Sequence, residues 1–429
     1  MFFIKFITLV FIGNNFYFNS VEIVTLTYNL RFSGFDDEWA KVKLGDIITL
    51  MQSGLSRQLS PEDIGVPVIR SNNIQNGHVD ISDISYWYLK DTKGAKIENY
   101  FLKKNDLLIN FINSLSQIGK NAVYNNELNR PTIFTTNIMR LNFKKEVNTY
   151  FMYYLFNTAY YKNYIDKITK PAVNQASFTT TDFKKMDLKI PDIIEQKQIS
   201  EFLLLIDKKI ELLEQKHNYY QDFKKYLMQQ IFAQKLRFKH YDDDWKETKI
   251  GNIAEVVGGG TPKTEIDSYW NGDIKWYTPS EIGKTKYIDD SERHITEEGL
   301  KNSSAKLLPK NTILLSSRAT VGEVSITLTE CSTNQGFQSL ITKNNVDNEF
   351  IYYLISTIKN EFLKRSSGST FLEISRNEIK KIKINIPSLN EQKLIGNVLS
   401  DIDKKIFYLE NRINKTQEFK RGLLQQMFI

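Results

Sequence analysis

Residues 190–232 read IPDIIEQKQISEFLLLIDKKIELLEQKHNYYQDFKKYLMQQIF, and residues 386–428 read IPSLNEQKLIGNVLSDIDKKIFYLENRINKTQEFKRGLLQQMF. Ile-Pro, Glu-Gln-Lys, Ile-Asp-Lys-Lys-Ile, Leu-Glu, Phe-Lys and Leu-x-Gln-Gln-x-Phe fall in register without a gap. A repeat of this length marks a duplicated unit. In the first copy Ile199, Leu203, Ile206, Ile210 and Leu213 alternate spacings of four and three, and the frame continues through His217, Tyr220, Lys224, Leu227 and Ile231. In the second, Ile395, Leu399, Ile402, Ile406 and Leu409 do the same, followed by Ile413, Thr416, Lys420, Leu423 and Met427. This is a heptad seam. It predicts two helices of roughly 40 residues, each near 60 Å long at about 1.5 Å per residue. Pro191 and Pro387 mark their starts, since the residue before proline avoids the helical region.

A second repeat opens each intervening region. Residues 30–47 read LRFSGFDDEWAKVKLGDI and residues 236–253 read LRFKHYDDDWKETKIGNI. The order is therefore variable region, helix, variable region, helix. We divide the chain into an atypical extension (1–29), a first variable domain (30–190), a central heptad helix (191–235), a second variable domain (236–386) and a C-terminal heptad helix (387–429). Two equal helices in one chain can pack antiparallel as an intramolecular coiled coil, which relates the halves by a pseudo-two-fold. Pairing between chains, as a dimerisation or spacer rod, fits the periodicity too. The polar seam positions His217, Lys224, Thr416 and Lys420 are expected to fix register at a cost in stability.

The variable regions carry short β-type runs broken by Gly, Asn, Ser and Asp, for example 66–69, 107–111, 122–124, 133–134, 274–277, 312–315 and 323–327. Short helices are expected at 149–158 and 348–357. Each region reads as an α+β domain. Traces of common descent remain between them: Tyr153-Tyr154-Leu155 against Tyr352-Tyr353-Leu354, Ile118-Gly119 against Val321-Gly322, and Thr136-Asn137 against Thr333-Asn334. Two like frames with unlike surfaces suit a protein that reads two different things from one geometry.

Composition narrows the function. The 429 residues carry a net charge of +7, which permits nucleic-acid binding without demanding it. One cysteine, Cys331, excludes an internal disulfide or a Cys-rich zinc site, and the four histidines lack metal-ligand spacing. We expect no metal and a cytoplasmic protein. The apolar run at 1–12 is too short to span a bilayer, which needs about 20 residues. It lacks a charged n-region and a cleavage site, so we read it as an upstream extension rather than a targeting segment.

Several loops gather amides, hydroxyls and cations. In the first domain these are Arg70, Ser71, Asn72 and Asn73, then Asn113, Ser114, Gln117 and Lys120, then Lys170, Asn174 and Gln175. In the second they are Lys263 and Thr264, Ser280, Ser317 and Arg318, Asn334 and Gln335, then Arg365 and Ser369. Arg and Lys suit guanine edges, Asn and Gln suit adenine, and Ser or Thr suit phosphate or either base. The run Gly258-Gly259-Gly260-Thr261-Pro262-Lys263 is not a phosphate loop, which needs G-x-x-x-x-G-K-[ST]. We read it as a tight glycine turn. A single-chain methyltransferase or nuclease is the competing enzyme reading. An adenine methyltransferase needs a Pro-Pro pair beside the flipped base, and none of the nine prolines are adjacent. No Rossmann fingerprint is present either. A coiled-coil scaffold is the third reading, and it leaves the divergent domains unexplained.

The paired Ile-Pro-x-x-x-Glu-Gln-Lys helices ending Leu-x-Gln-Gln-x-Phe resemble those of type I restriction-modification specificity subunits. So do the Leu-Arg-Phe…Trp…Gly-(Asp/Asn)-Ile openings and Gly260-Thr261-Pro262. The resemblance covers about residues 30–429, although residues 1–29 depart from the family's short polar lead. It implies a non-catalytic chain whose two target recognition domains each read half of a bipartite DNA site. It further implies that the helices set the gap and dock two methyltransferase subunits. Those partners would use S-adenosylmethionine for adenine-N6 methylation, and restriction/translocase subunits would use ATP and Mg. No cofactor is implied for this chain.

Overall fold

The computed structural model describes the chain apart from residues 1–3, 13–14, 27–28, 76, 173–174, 369–371 and 429. It divides into two units, residues 1–212 with 412–429, and residues 213–411. Each unit holds one variable domain, the start of the long helix that follows it and the end of the other long helix.

In the first unit the domain is closed by an antiparallel pair, Ala40–Lys43 with Asp187–Ile190, which ties its beginning to its end. Its main sheet has the order Asn121–Tyr124, Asp106–Asn110, Ile138–Phe143, Ile48–Ser53. Leu107, Leu108 and Ile109 are all fully buried, so the expected run reads as a strand covered on both faces. A second small sheet pairs Ile133–Phe134 parallel to Gly65–Ile69, which pairs antiparallel to Ser85–Tyr88. Helix Thr149–Leu155 starts where the Asn148 side chain accepts from the Phe151 amide at 3.0 Å. The backbone of the N-terminal extension forms a hairpin, Ile4–Ile12 with Asn15–Leu26, which the composition did not suggest.

The second unit repeats the plan. Lys246–Lys249 pairs with Lys383–Ile386. A five-stranded sheet has the order Ala254–Gly258, Gln338–Thr342, Ile313–Leu315, Val324–Thr327, Tyr287–Ile288. Cys331–Thr333 runs parallel to Trp270–Tyr277. Helix Asn348–Thr357 is capped by Asp347, which accepts from the Phe350 amide at 2.8 Å. Both domains are α+β, as expected.

The long helices are Ile193–Phe232 and Leu389–Met427. Every predicted seam position is buried or half-buried, from Ile199 to Ile231 and from Ile395 to Met427. In the first unit Ile199, Leu203 and Ile206 share a core with Leu423, Leu424, Met427 and Phe428. In the second, Leu227, Met228, Ile231 and Phe232 share one with Ile395 and Leu399. Within each unit the start of one helix therefore packs antiparallel on the end of the other, each fully buried Leu or Ile contributing roughly 1.5–3 kcal/mol. The two lysines of the seam are paired in kind, while Thr416 donates to the Arg412 carbonyl of its own helix. Lys420 Nζ meets Asp207 at 2.5 Å, while Tyr154 donates to the same carboxylate at 2.7 Å. Lys224 Nζ meets Asp403 at 2.6 Å, and Tyr353 donates to that carboxylate.

The repeated motifs are the joinery of this frame. Arg31 grips Glu195 through Nε at 2.9 Å and Nη2 at 2.7 Å; Arg237 grips Glu391 at 3.2 and 2.8 Å. The next residue, Gln196 or Gln392, donates to the carbonyl of Pro191 (2.8 Å) or Pro387 (2.9 Å). Its own oxygen accepts the amide of Asn148 or Asp347, the cap of the tyrosine helix. The closing Phe428 packs on Phe151 with ring centroids 5.1 Å apart, and Phe232 packs on Phe350 at 5.6 Å.

Candidate DNA-reading face

Hydrogen bonds establish which positions of the two domains correspond. Leu55 donates to Phe134 O at 2.9 Å, and Gly260 donates to Thr333 O at 2.8 Å. Gly119 donates to Asn110 O at 2.7 Å, and Gly322 to Ser316 O at 3.0 Å. The pairings of Ile118-Gly119 with Val321-Gly322 and of the two Tyr-Tyr-Leu helices hold. The pairing of Thr136-Asn137 with Thr333-Asn334 does not. Phe134 matches Thr333, so Thr135 matches Asn334, because both sit one residue past a parallel strand of fixed register.

In the first domain the candidate loops converge on the end of strand Asp106–Asn110. The Asn110 side chain donates to Ser71 O at 3.0 Å, and its amide donates to Lys120 O at 2.8 Å. Two residues on, Ile112–Asn113 pairs with Ala176–Ser177, which pairs with Lys170–Pro171. Ser114, Lys120, Lys170 and Gln175 are exposed there, as is Asn72. Ser71 is half-buried. Asn174 lies outside the described residues. Two candidates serve the fold as they stand. Asn73 is buried, with its oxygen on the Arg70 amide (2.8 Å) and its nitrogen on the carbonyls of Asp80 (2.9 Å) and Asp83 (2.8 Å). Arg70 spends Nη2 on the Asp83 carboxylate at 2.7 Å.

The second domain gathers its loops at the same end. Ser317 donates its amide to Gly336 O at 2.7 Å, and Asn334 donates its amide to Tyr277 O at 3.1 Å. Ser280, Gln335, Arg318, Arg365, Lys263 and Thr264 are exposed, and Asn334 is half-buried with its side-chain oxygen on the Gly336 amide. Ser317 is fully buried and its hydroxyl has no partner among the described residues, so it faces the interior rather than a ligand. Ser369 lies outside the described residues. The glycine run is not a turn. A Cβ on Gly259 would lie 2.0 Å from Asn334 O, and one on Gly260 would lie 2.2 Å from Ser304 Oγ, so glycine is needed for close approach. The segment is clamped by two indoles: Trp276 donates to Gly260 O at 2.9 Å and Trp270 to Lys263 O at 3.1 Å.

The sequence reading missed the side chains that hold this face together. Thr261 donates to Gln335 at 2.5 Å. Asp83 and Glu373 pair with Arg70 and Arg318. Exposed Arg376 lies beside Gly258 and Gln338. Their common signal is proximity across strands, which local composition does not carry. The corresponding loops differ in length as well: Lys170 matches Ser367 and Ser177 matches Glu373, since Ser177 bridges Ile112 and Lys170 while Glu373 bridges Arg318 and Ser367.

The model of the type I restriction modification DNA specificity domain matches residues 36–219 and 242–418. The chain belongs to this family. It is 43% identical over 189 residues to the type I restriction enzyme MjaIX specificity subunit of Methanocaldococcus jannaschii, a match that spans 43% of either chain. It is 27% identical over 406 residues to the putative MjaX specificity subunit of the same organism, covering 90% of this chain and 92% of that one. The solved type I S subunit from M. genitalium shares the fold at a TM-score of 0.60 and 16% identity, over 92% of this chain and 97% of that one. Specificity subunits are recognition rather than catalytic components. Among the described residues no group of three or more His, Cys, Asp and Glu is placed to hold a metal, and no helix is long and apolar enough to cross a membrane.

Proposed function

We propose that each variable domain reads one half of a bipartite DNA target with the loop face described above. One observation carries this reading: a single hydrogen-bonded frame, built twice, presents different chemistry at matched positions. Asn72 stands against Ser280, Lys120 against Glu323, Lys170 against Ser367 and Ile112 against Arg318. A scaffold needs no such divergence on a matched frame. Exposed Lys120, Lys170 and Lys263 position the protein on phosphates, and loop amides and guanidinium groups read base edges. The long helices set the gap between half-sites and dock two methyltransferase subunits. Those subunits carry S-adenosylmethionine and methylate adenine N6, and restriction/translocase subunits with ATP and Mg complete the enzyme in the cytoplasm.

The test is to map N6-methyladenine in a host expressing this chain with its methyltransferase subunit, and in one lacking it. A split motif that appears only with this chain is the expected result. No chain-dependent motif, together with no preference among random duplexes, would refute the reading.

A further inference from the structure

We propose that Arg318 reads a guanine in the half-site taken by the second domain, and that Glu373 is the residue that positions it. The inference rests on the DNA-reading function proposed above and adds a base, a residue and its support.

Three independent observations meet at this point. The first is the geometry of the pair. Arg318 and Glu373 lie opposite each other in an antiparallel bridge, which puts their side chains on one face. Glu373 Oε1 sits 2.9 Å from Arg318 Nε. That contact uses the side of the guanidinium nearest the chain. The two Nη nitrogens have no partner among the described residues, and the Arg318 side chain is 44% exposed. An exposed arginine ion-paired at Nε, whose Nη atoms make no hydrogen bond among the described residues, presents a fork to solvent that matches the O6 and N7 acceptors of guanine. Arg70 in the first domain is held the other way. It gives Nη2 to Asp83, and its Nε is buried without a partner among the described residues, so one arm of its fork is already engaged.

The second observation is the backbone beside it. Ala319 has φ +58°, a left-handed conformation that a Cβ disfavours. The turn is closed tightly, with Thr320 N donating to Arg318 O at 2.7 Å. Strain kept next to an exposed side chain is a mark of a position held for use. The third is the internal comparison. The same bridge in the first domain joins Ile112 to Ser177. The frame is kept while the pair changes from an apolar residue and a hydroxyl to a guanidinium and a carboxylate. The frame therefore does not dictate the pair, which leaves this position open to recognition.

Glu373 acts here through Arg318 and touches no base. It removes the rotamer freedom that a long side chain would otherwise lose on binding, and its charge keeps the fork aimed. The experiment is selection from random duplexes at fixed salt by the full chain bound to its methyltransferase subunit. Wild type, Arg318→Ala, Arg318→Lys and Glu373→Gln are compared. We expect a guanine preference at one position of one half-site that falls about 10- to 100-fold in Arg318→Ala. Arg318→Lys should lose most of it, because an ammonium cannot form the fork. Glu373→Gln should weaken the preference at that same position by a smaller factor. The other half-site stays as in wild type and reports that the chain is folded; if Arg318→Ala disturbs both, the gentler Arg318→Lys decides. An unchanged profile in Glu373→Gln would overturn the positioning role. Uniformly tighter binding in Glu373→Gln would make the acid a mask instead, and would overturn it as well. A wild-type motif without a guanine sensitive to Arg318 would overturn the whole inference while leaving the DNA-reading function intact. No selected motif from wild type would refute both.

Discussion

Replacing Arg31 by Met tests whether the repeated motifs act as locks. Arg31 makes two charge-assisted hydrogen bonds to Glu195, at 2.9 and 2.7 Å, and the Glu195 side chain is 1% exposed. Such bonds contribute about 1.5–3 kcal/mol each. Removing one partner of a buried pair costs about 3–5 kcal/mol, because a desolvated charge is left behind. Arg31 is itself 20% exposed, so water can reach part of the space that the guanidinium vacates, and the lower end, about 3 kcal/mol, applies. Arg237→Met should cost less, since Glu391 keeps a second donor in Trp245 Nε1 at 3.4 Å, whereas Trp39 Nε1 is buried without a partner among the described residues. Hydrogen exchange read by mass spectrometry locates the effect. Amides of helix Thr149–Leu155 should exchange about 100-fold faster in Arg31→Met, the equivalent of about 3 kcal/mol. Adding Glu195→Gln to that background should recover part of the loss by removing the stranded charge. An acceleration below about fivefold would put the pair among ordinary exposed ones, worth about 1 kcal/mol or less. A double variant worse than the single one would refute the stranded-charge argument itself.

Other expectations follow from the same structure. Asp91 accepts from Arg57 Nε and Nη2, from Trp87 Nε1 and from the Lys93 and Ala95 amides, and the Arg57 hydrogen bond above all holds its carboxyl well below the usual range. A depressed folded pKa gives stability that is present above the unfolded value near 4 and is lost as pH falls below it, so Asp91→Asn should flatten the acid limb of urea midpoints measured below pH 4. Cys331 is fully buried and its thiol is pushed up to about 12 by that burial, so a thiol reagent at pH 8 should label it only after denaturation; rapid native labelling would contradict the packing. Removing one heptad from each long helix takes about 10 Å out of the rod. The mapped methylation motif should then show a shorter spacer with both half-site sequences unchanged, and an unaltered spacer would refute the ruler role.

The long helices were legible because their rule is local and periodic. A spacing of four and three places Ile199 to Ile231 and Ile395 to Met427 on one face whatever lies opposite, and every one of those positions turned inward. The motif Leu-Arg-Phe was legible as a repeat, yet its use was not: Arg31 meets Glu195 across 164 residues, and no spacing rule reaches that far. The loops failed for a different reason. Composition says that a loop is polar, but not which of its polar groups it spends on itself. Asn73 and Ser280 both lie in short 3-10 turns opened by matched capping residues, Arg70 and Thr278. One side chain is consumed holding its turn, and the other stays exposed.

The glycines of 258–260 misled in the same sense, since a need for close approach and a need for a turn leave the same letters. What separates the two is a neighbour, here Asn334 O and Ser304 Oγ, brought in from a distant strand and loop. The hydrogen bonds that fix the frame are made by backbone groups, which every sequence supplies alike. The candidate base-reading side chains that remain exposed, such as Asn72, Lys120, Ser280 and Arg318, stand on that frame at positions that the frame does not constrain. A duplicated frame therefore lets one half of the molecule serve as the control for the other. Where Ile112 faces Ser177 and Arg318 faces Glu373 across the same bridge, the fold accounts for the bridge and leaves the pair open, which is the freedom that the proposed reading of a guanine by Arg318 would use.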